Sequence, residues 1–167
     1  MSNLLHFAVN AWLPPRNNFS LSCFVYLDTA ILVKLFVPEP DSDYFGKLTD
    51  GQALSSSALA YTELFSALLQ KERAGGINAD QRRLAWRTFQ WNVDEETILM
   101  LPLSQAVLKK ANHILESCHP QVPLRSLDAL HLASCDQLQD WPLCTSDRRM
   151  RAAAVFLRYP LVEVPGT

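Results

Sequence analysis

The sequence has little glycine, no cysteine pair at metal-binding spacing and no long apolar run. Five glycines among 167 residues exclude collagen-like and glycine-rich low-complexity chains. The four cysteines form no CxxC pair, and no histidine stands at zinc-finger spacing from them, so a cysteine-based zinc site is excluded. No run reaches the roughly 18 apolar residues that a transmembrane helix needs. We therefore expect reduced cysteines, a cytoplasmic location and no membrane partner.

Neither sign of charge dominates the chain. With 15 basic and 17 acidic residues the net charge is −2, so no basic excess points to nucleic acid. The apolar content of 49% and the charged content of 19% exclude a disordered chain and suit one domain. We predict a single folded domain over 22–167. A flexible extension over 1–21 precedes it, because Pro14-Pro15 and Asn17-Asn18 interrupt any regular element there.

Short apolar runs alternate with helical patterns from Ser22 onward. The predicted strands are Cys23–Leu27, Gln52–Ser55, Ile98–Leu103, Pro142–Thr145 and Leu161–Val164. Strands that alternate with helices predict a central parallel sheet of about five strands with helices on both faces, a three-layer α/β/α domain. Such sheets bind ligands at the carboxyl ends of their strands, so the residues that follow each strand are the candidates for chemistry.

Four carboxylates stand out by their positions. Asp28 directly follows the first predicted strand, and Asp147 follows the fourth with one residue between. Glu63 and Asp128 lie in predicted helices among small and apolar neighbours, where an ionised carboxylate is costly unless a cation meets it. Each acid also has a structural alternative. These are helix capping for the two strand-end aspartates, an amphipathic fringe for Glu63, and stabilisation by the helix dipole for Asp128.

The conjunction of these acids predicts more than any one of them. Four carboxylates in one cleft would repel each other and raise each other's pKa, and a divalent cation would remove that repulsion. Ligand sets made only of oxygen favour Mg²⁺ or Mn²⁺ over zinc. The chemistry that follows is metal-assisted displacement at phosphorus, in which the metal activates a water and stabilises charge on the phosphoryl oxygens.

The stretches that contain these acids resemble the PIN-domain family. They are VYLDT at 25–29, TEL at 62–64 with AL at 67–68, SLDALHLA at 126–133 and TSDRRM at 145–150. Their order, spacing and local sequence look most like the VapC-type ribonuclease toxins of bacterial toxin–antitoxin pairs, over about residues 23–165. The resemblance implies a PIN-like fold and a Mg²⁺-dependent (or Mn²⁺-dependent) ribonuclease. It implies that the metal-binding and catalytic residues are Asp28, Glu63, Asp128 and Asp147.

The resemblance carries further expectations. Thr29, Thr145 and Ser146 match positions where the family places hydroxyls near the metal, water or phosphate. An RNA substrate, a small antitoxin partner and a homodimer are implied, as are products with a 5′-phosphate and a 3′-hydroxyl. The family usually begins its first strand within a few residues of the N-terminus, so residues 1–21 are additional here.

Three more residues are candidates near these acids. Arg148 and Arg149 follow Asp147 at a predicted helix start, where guanidinium groups would bind RNA phosphates, unless they form a solvated helix face. His131 lies three residues after Asp128 on nearly the same helical face. Contact with Asp128 or with a phosphate, and a half-buried structural role, both remain open for His131.

Other readings fit the residues less well. A haloacid-dehalogenase-like phosphatase needs a second aspartate two residues after the first, whereas Asp28 is followed by Thr29-Ala30. A receiver domain needs an acid after its middle strand, which ILMLPL lacks, and no GxGxxG is present for a dinucleotide. Two alternatives stay open: a non-toxin PIN-domain nuclease of RNA processing, and a catalytically silent PIN-like module that binds RNA or protein. The presence of all four acids favours an enzyme.

Overall fold

The computed structural model describes residues 24–164, in which four strands alternate with seven helices. The strands are β1 (Phe24–Leu27), β2 (Ala53–Ser57), β3 (Ile98–Leu101) and β4 (Leu143–Cys144). The helices are α1 (Thr29–Phe36), α2 (Ser42–Thr49), α3 (Leu59–Arg73), α4 (Ala79–Asp94), α5 (Gln105–Cys118), α6 (Ser126–Leu138) and α7 (Arg148–Phe156). The predicted extension over 1–21 lies outside the described residues. No helix in the described part has the length and apolar character needed to span a bilayer.

The four strands form one parallel sheet in the order β3-β2-β1-β4. Val25 pairs with Leu54 of β2, and Tyr26 pairs with Leu143 of β4. Because all strands run the same way, their carboxyl ends lie at one edge of the sheet. The segments that follow β1 and β4 are therefore neighbours, although more than a hundred residues separate them in the chain.

Alternating side chains of β1 divide the interior into two cores. Val25 and Leu27 pack on one face of the sheet with the buried residues of α1, α2, α3 and α4. Tyr26 points to the other face and packs with α5, α6 and α7. This arrangement confirms the predicted three-layer α/β/α fold.

The fifth predicted strand, Leu161–Val164, is wrong as a strand. Only Leu161 forms an isolated parallel bridge with Leu143, supported by a hydrogen bond from Val162 N to the Leu143 carbonyl oxygen (2.9 Å). The segment follows Pro160, which has no amide hydrogen, and its partner β4 is only two residues long. The described sheet therefore has four strands rather than about five.

The sequence also predicts helix caps at Asn78, Ser104, Ser126 and either Ser56 or Ser57. The structure confirms the first two and corrects the others. Asn78 caps α4 in a reciprocal capping box with Gln81, and the Ser104 hydroxyl accepts a hydrogen bond from Val107 N at the start of α5. Ser56 and Ser57, proposed as caps of α3, belong instead to β2. Ser126 is the first residue of α6 rather than its cap.

Candidate active site

Asp28 lies at the carboxyl end of β1 and uses its two oxygens for different purposes. Oδ1 caps α1 by accepting a hydrogen bond from Ile31 N (2.9 Å), as the structural alternative predicted. Oδ2 accepts a hydrogen bond from the Thr145 hydroxyl, beyond the end of β4. Asp28 is only 3% exposed. Capping therefore fixes this carboxylate at the sheet edge without using both of its oxygens.

The Thr145 hydroxyl joins Asp28 to Asp147. It donates to Asp28 Oδ2 and accepts a hydrogen bond from Asp147 N (3.0 Å). Asp147 caps α7 through Oδ1, which accepts from the backbone N–H groups of Arg149 (2.8 Å) and Met150 (2.9 Å). The two strand-end aspartates thus belong to one hydrogen-bonded unit, as the parallel sheet predicts.

Asp128 lies in the first turn of α6 and contacts two arginine residues. Its Oδ2 accepts a hydrogen bond from Arg125 N (3.2 Å) and lies 3.8 Å from Arg149 Nε. Because Arg149 N also donates to Asp147, this arginine connects α7 to the carboxylates of Asp128 and Asp147. Asp128 thereby approaches the same edge of the sheet.

Burial and mutual repulsion act on these aspartates. Burial raises the pKa of Asp28, and the negative charge of Asp147 adds to the rise, although Thr145 and the positive field of His131 offset part of it. Burial likewise raises the pKa of Asp128, again with Asp147 adding and the Arg125 backbone offsetting. Burial and a nearby carboxylate both disfavour the ionised form of a carboxyl group, and a cation bound at this edge would favour it.

Glu63 is held by a different set of partners. Its Oε2 accepts a hydrogen bond from the Thr29 hydroxyl (2.5 Å) and lies 2.8 Å from His131 Nε2. Burial alone would raise the pKa of Glu63, but hydrogen bonding and charge from His131, with help from Thr29, lower it below its ordinary value. Glu63 is thus an ionised group, and Thr29 connects it to the backbone beside Asp28.

The predicted hydroxyls and arginines differ in their contacts. Thr29 and Thr145 each bond a site carboxylate, whereas Ser146 makes no side-chain hydrogen bond with the described residues. Arg148 is exposed, and Arg149 is half-buried beside Asp128.

The acids offer the oxygen ligands that a magnesium ion prefers, but they do not form a preassembled site with many ligands. Within the described residues, no three or more histidine, cysteine, aspartate or glutamate side chains stand close enough together to form a complete metal cage. Mg²⁺ typically takes only one or two carboxylates and keeps several waters. Asp28 and Asp147, joined through Thr145, provide such a pair, and the donor set of oxygen atoms fits this ion.

His131 is the functional candidate whose partners the sequence did not predict. It is buried, and its hydrogen bonds go to the Tyr26 hydroxyl, Glu63 and Thr29 rather than to Asp128. Its spacing from Asp128 pointed along α6, whereas the true partners lie on β1, α1 and α3. Only the packing of the layers reveals them.

Comparisons with known proteins identify the family. The model of the PIN domain family matches residues 25–155, a range that includes all four acids. Ribonuclease VapC46 of Mycobacterium tuberculosis (strain ATCC 25618 / H37Rv) is 37% identical over 133 residues, which cover 78% of this chain and 89% of the relative. A chain from a toxin–antitoxin complex of Klebsiella pneumoniae superposes with a TM-score of 0.55 at 16% identity, covering 83% of this chain and 96% of that one, and so shares the fold. The chain therefore belongs to the PIN-domain family, and within that family it is of the VapC type.

Proposed function

We propose that the protein is a Mg²⁺-dependent endoribonuclease and the toxin of a toxin–antitoxin pair. The observation that carries the proposal is the hydrogen-bonded unit of Asp28, Thr145 and Asp147 at the carboxyl edge of the sheet, with Asp128 beside it. The names of its relatives, a ribonuclease and a toxin–antitoxin complex, support the substrate class and the biological role.

In this proposal Asp28 and Asp147 hold the metal directly, and Asp128 and Glu63 bind it or its water ligands. When bound, Mg²⁺ (or Mn²⁺) supplies Lewis acidity at a phosphate oxygen and lowers the pKa of a water. The chain's own groups do the rest. Thr145 keeps Asp28 Oδ2 oriented, and Glu63, ionised because of His131, accepts a proton from the attacking water. Attack by the water oxygen forms a new bond to phosphorus and breaks the bond to the 3′-oxygen, which takes up a proton from solvent and leaves as a hydroxyl. The other fragment keeps a 5′-phosphate.

The proposal includes an RNA substrate, a small antitoxin, a homodimer and a cytoplasmic location. The three described cysteines are buried free thiols, which fits a reducing compartment. Purification together with the product of the neighbouring reading frame tests the antitoxin, and light scattering of the isolated protein tests the dimer.

The deciding experiment for the activity uses end-labelled RNA and purified protein. We expect Mg²⁺-dependent cleavage whose products carry a 5′-phosphate, measured by their sensitivity to phosphatase. Binding of RNA without cleavage would support the silent module instead. Cleavage by a protein that has no partner and does not arrest growth when expressed would support an RNA-processing nuclease.

We propose that Arg148 and Arg149 bind RNA phosphates. Replacing both by alanine should weaken RNA binding equally across sequences and flatten the slope of log K against log salt by about one to two. The melting temperature should change little, because removing cations from the start of α7 relieves their opposition to the helix dipole while the contact between Arg149 and Asp128 is lost. RNA titrations in an Asp28→Asn background measure the slope without cleavage.

The matched control for these arginines is Arg87→Ala, which removes a cation from the exposed face of α4. It should leave both RNA affinity and salt dependence near those of the parent. Equal slopes for the parent, the double variant and the control would assign Arg148 and Arg149 to a solvated helix face or to contact with a partner protein.

We also propose that the nuclease is contained in residues 22–167 and that 1–21 is dispensable for cleavage. The family match begins at residue 25, which supports this boundary. A chain that starts at Ser22 should melt and cleave RNA as the full chain does. Loss of solubility or of dimerisation on truncation would show that the apolar side chains within 1–21 cover part of the domain.

A further inference from the structure

We propose that His131 is a positioning residue for Glu63, with Tyr26 as its buried anchor. In this role His131 does not touch RNA or metal, but holds the Glu63 carboxylate in one orientation beside Thr29. The inference rests on the proposed function, because it gives Glu63 a place at the metal or its water ligands.

The contacts to Glu63 concentrate on one of its two carboxylate oxygens. His131 Nε2 lies 2.8 Å from Oε2, and the Thr29 hydroxyl donates to that same atom. Among the described residues, Oε1 takes part in no hydrogen bond. Two donors from separate helices therefore fix the carboxylate and leave one oxygen available for a metal ion or a water.

The other nitrogen of the His131 imidazole contacts a buried tyrosine. Its Nδ1 lies 2.8 Å from the hydroxyl of Tyr26, and the two rings meet edge to face at 6.0 Å between centroids. Tyr26 is fully buried, and burial raises its pKa well above its ordinary value, so the phenol keeps its proton. Because the ionised Glu63 carboxylate can only accept, Nε2 carries a hydrogen and donates it to Glu63, while Nδ1 is held by the Tyr26 hydroxyl.

The position of the network argues against a purely structural histidine. Tyr26 lies on β1, an inner strand of the sheet, whereas His131 lies on a helix of one layer and Glu63 on a helix of the other layer. The hydrogen-bonding groups of a buried histidine can be satisfied by buried partners alone. In His131, however, Nε2 bonds to the carboxylate of Glu63, whose side chain is 23% exposed. Partners of this kind orient metal-binding groups, and their loss typically weakens metal binding or activity by about 10–100-fold.

The test is direct Mn²⁺ binding by calorimetry on the full chain, together with kcat and KM on an RNA oligonucleotide. His131→Leu should raise the Mn²⁺ dissociation constant by about tenfold or more and lower kcat, with KM little changed. His131→Gln places an amide N–H near the position of Nε2 and should recover most of the affinity. His113→Leu, the same replacement on the exposed face of α5, should behave as wild type.

Tyr26→Phe keeps the ring and removes only the anchoring hydroxyl, so it tests the network if His131→Leu does not fold. It should raise the Mn²⁺ dissociation constant several-fold, and a value equal to that of wild type would overturn the inference. In a Glu63→Gln background, His131→Leu should have no further effect on Mn²⁺ affinity, and an undiminished additional loss would equally overturn it. Failure of wild type to bind Mn²⁺ would instead overturn the proposed function, and this inference with it.

Discussion

Asp28→Asn is expected to abolish RNA cleavage while the protein stays folded. Asparagine is nearly isosteric and caps helices as well as aspartate, so its oxygen still accepts from Ile31 N at the start of α1. It removes the negative charge that would bind Mg²⁺ beside Thr145 and Asp147. Loss of one electrostatic group from a catalytic site costs about 10²–10³-fold, and a direct metal ligand should cost at least that. Initial rates on end-labelled RNA measure the loss.

The melting temperature of the metal-free Asn variant should equal or exceed that of wild type. Burial raises the pKa of Asp28 above its unfolded value, so folding favours the protonated form. The associated stability is present at low pH and is lost as the pH rises through the folded pKa, so wild type lacks it near neutral pH. Asparagine never carries the charge, and the difference between the two proteins should narrow as the pH falls.

Two outcomes would contradict this reasoning. Cleavage at the wild-type rate by Asp28→Asn would reduce Asp28 to a helix cap. A large fall in melting temperature would show that the ionised carboxylate is needed for the fold. Asp43→Asn is a suitable control, since it removes an acid from the exposed first turn of α2 and should change neither property.

The acids at the edge of the sheet could be predicted from the sequence because the pattern that places them is local in the chain. A short apolar run followed at once by Asp28 predicts a buried strand that ends in a helix cap. Leu143–Cys144 followed by Asp147 repeats the pattern. Parallel strands then bring these ends together wherever they lie in the chain. The same local pattern wrongly predicts a fifth strand at Leu161–Val164. Its apolar residues have only the two-residue strand β4 with which to pair.

The partners of the site side chains could not be predicted in the same way. The Thr145 hydroxyl meets Asp28 only because β4 lies next to β1, and nothing near Thr145 in the chain encodes that order. His131 shares a helical face with Asp128, yet it turns toward Glu63 across the edge of the sheet. Such contacts depend on how the helices of the two layers converge, which is a property of packing rather than of periodicity.

Removal of divalent metal should stop cleavage completely and lower thermal stability, whereas restored Mg²⁺ or Mn²⁺ should reverse both. Burial raises the pKa values of Asp28 and Asp128, and the negative charge of Asp147 adds to each rise, so a bound cation would favour the ionised carboxylates. A cation that binds only the folded site stabilises it by about 2.7 kcal/mol at a concentration of 100 Kd. For a chain of 167 residues this corresponds to a rise of roughly 5–11 °C in the melting temperature.

The measurement compares melting curves and RNA cleavage with chelator and with Mg²⁺, using NaCl at the same ionic strength as the control for screening. Asp28→Asn should show a much smaller rise on addition of Mg²⁺, because the pair joined by Thr145 has lost one of its charges. Cleavage by wild type in the presence of chelator would remove the metal from the mechanism. Equal thermal shifts for wild type and Asp28→Asn would place the ion away from the edge of the sheet. A shift confined to wild type, together with chelator-sensitive cleavage, would tie the catalytic metal to Asp28.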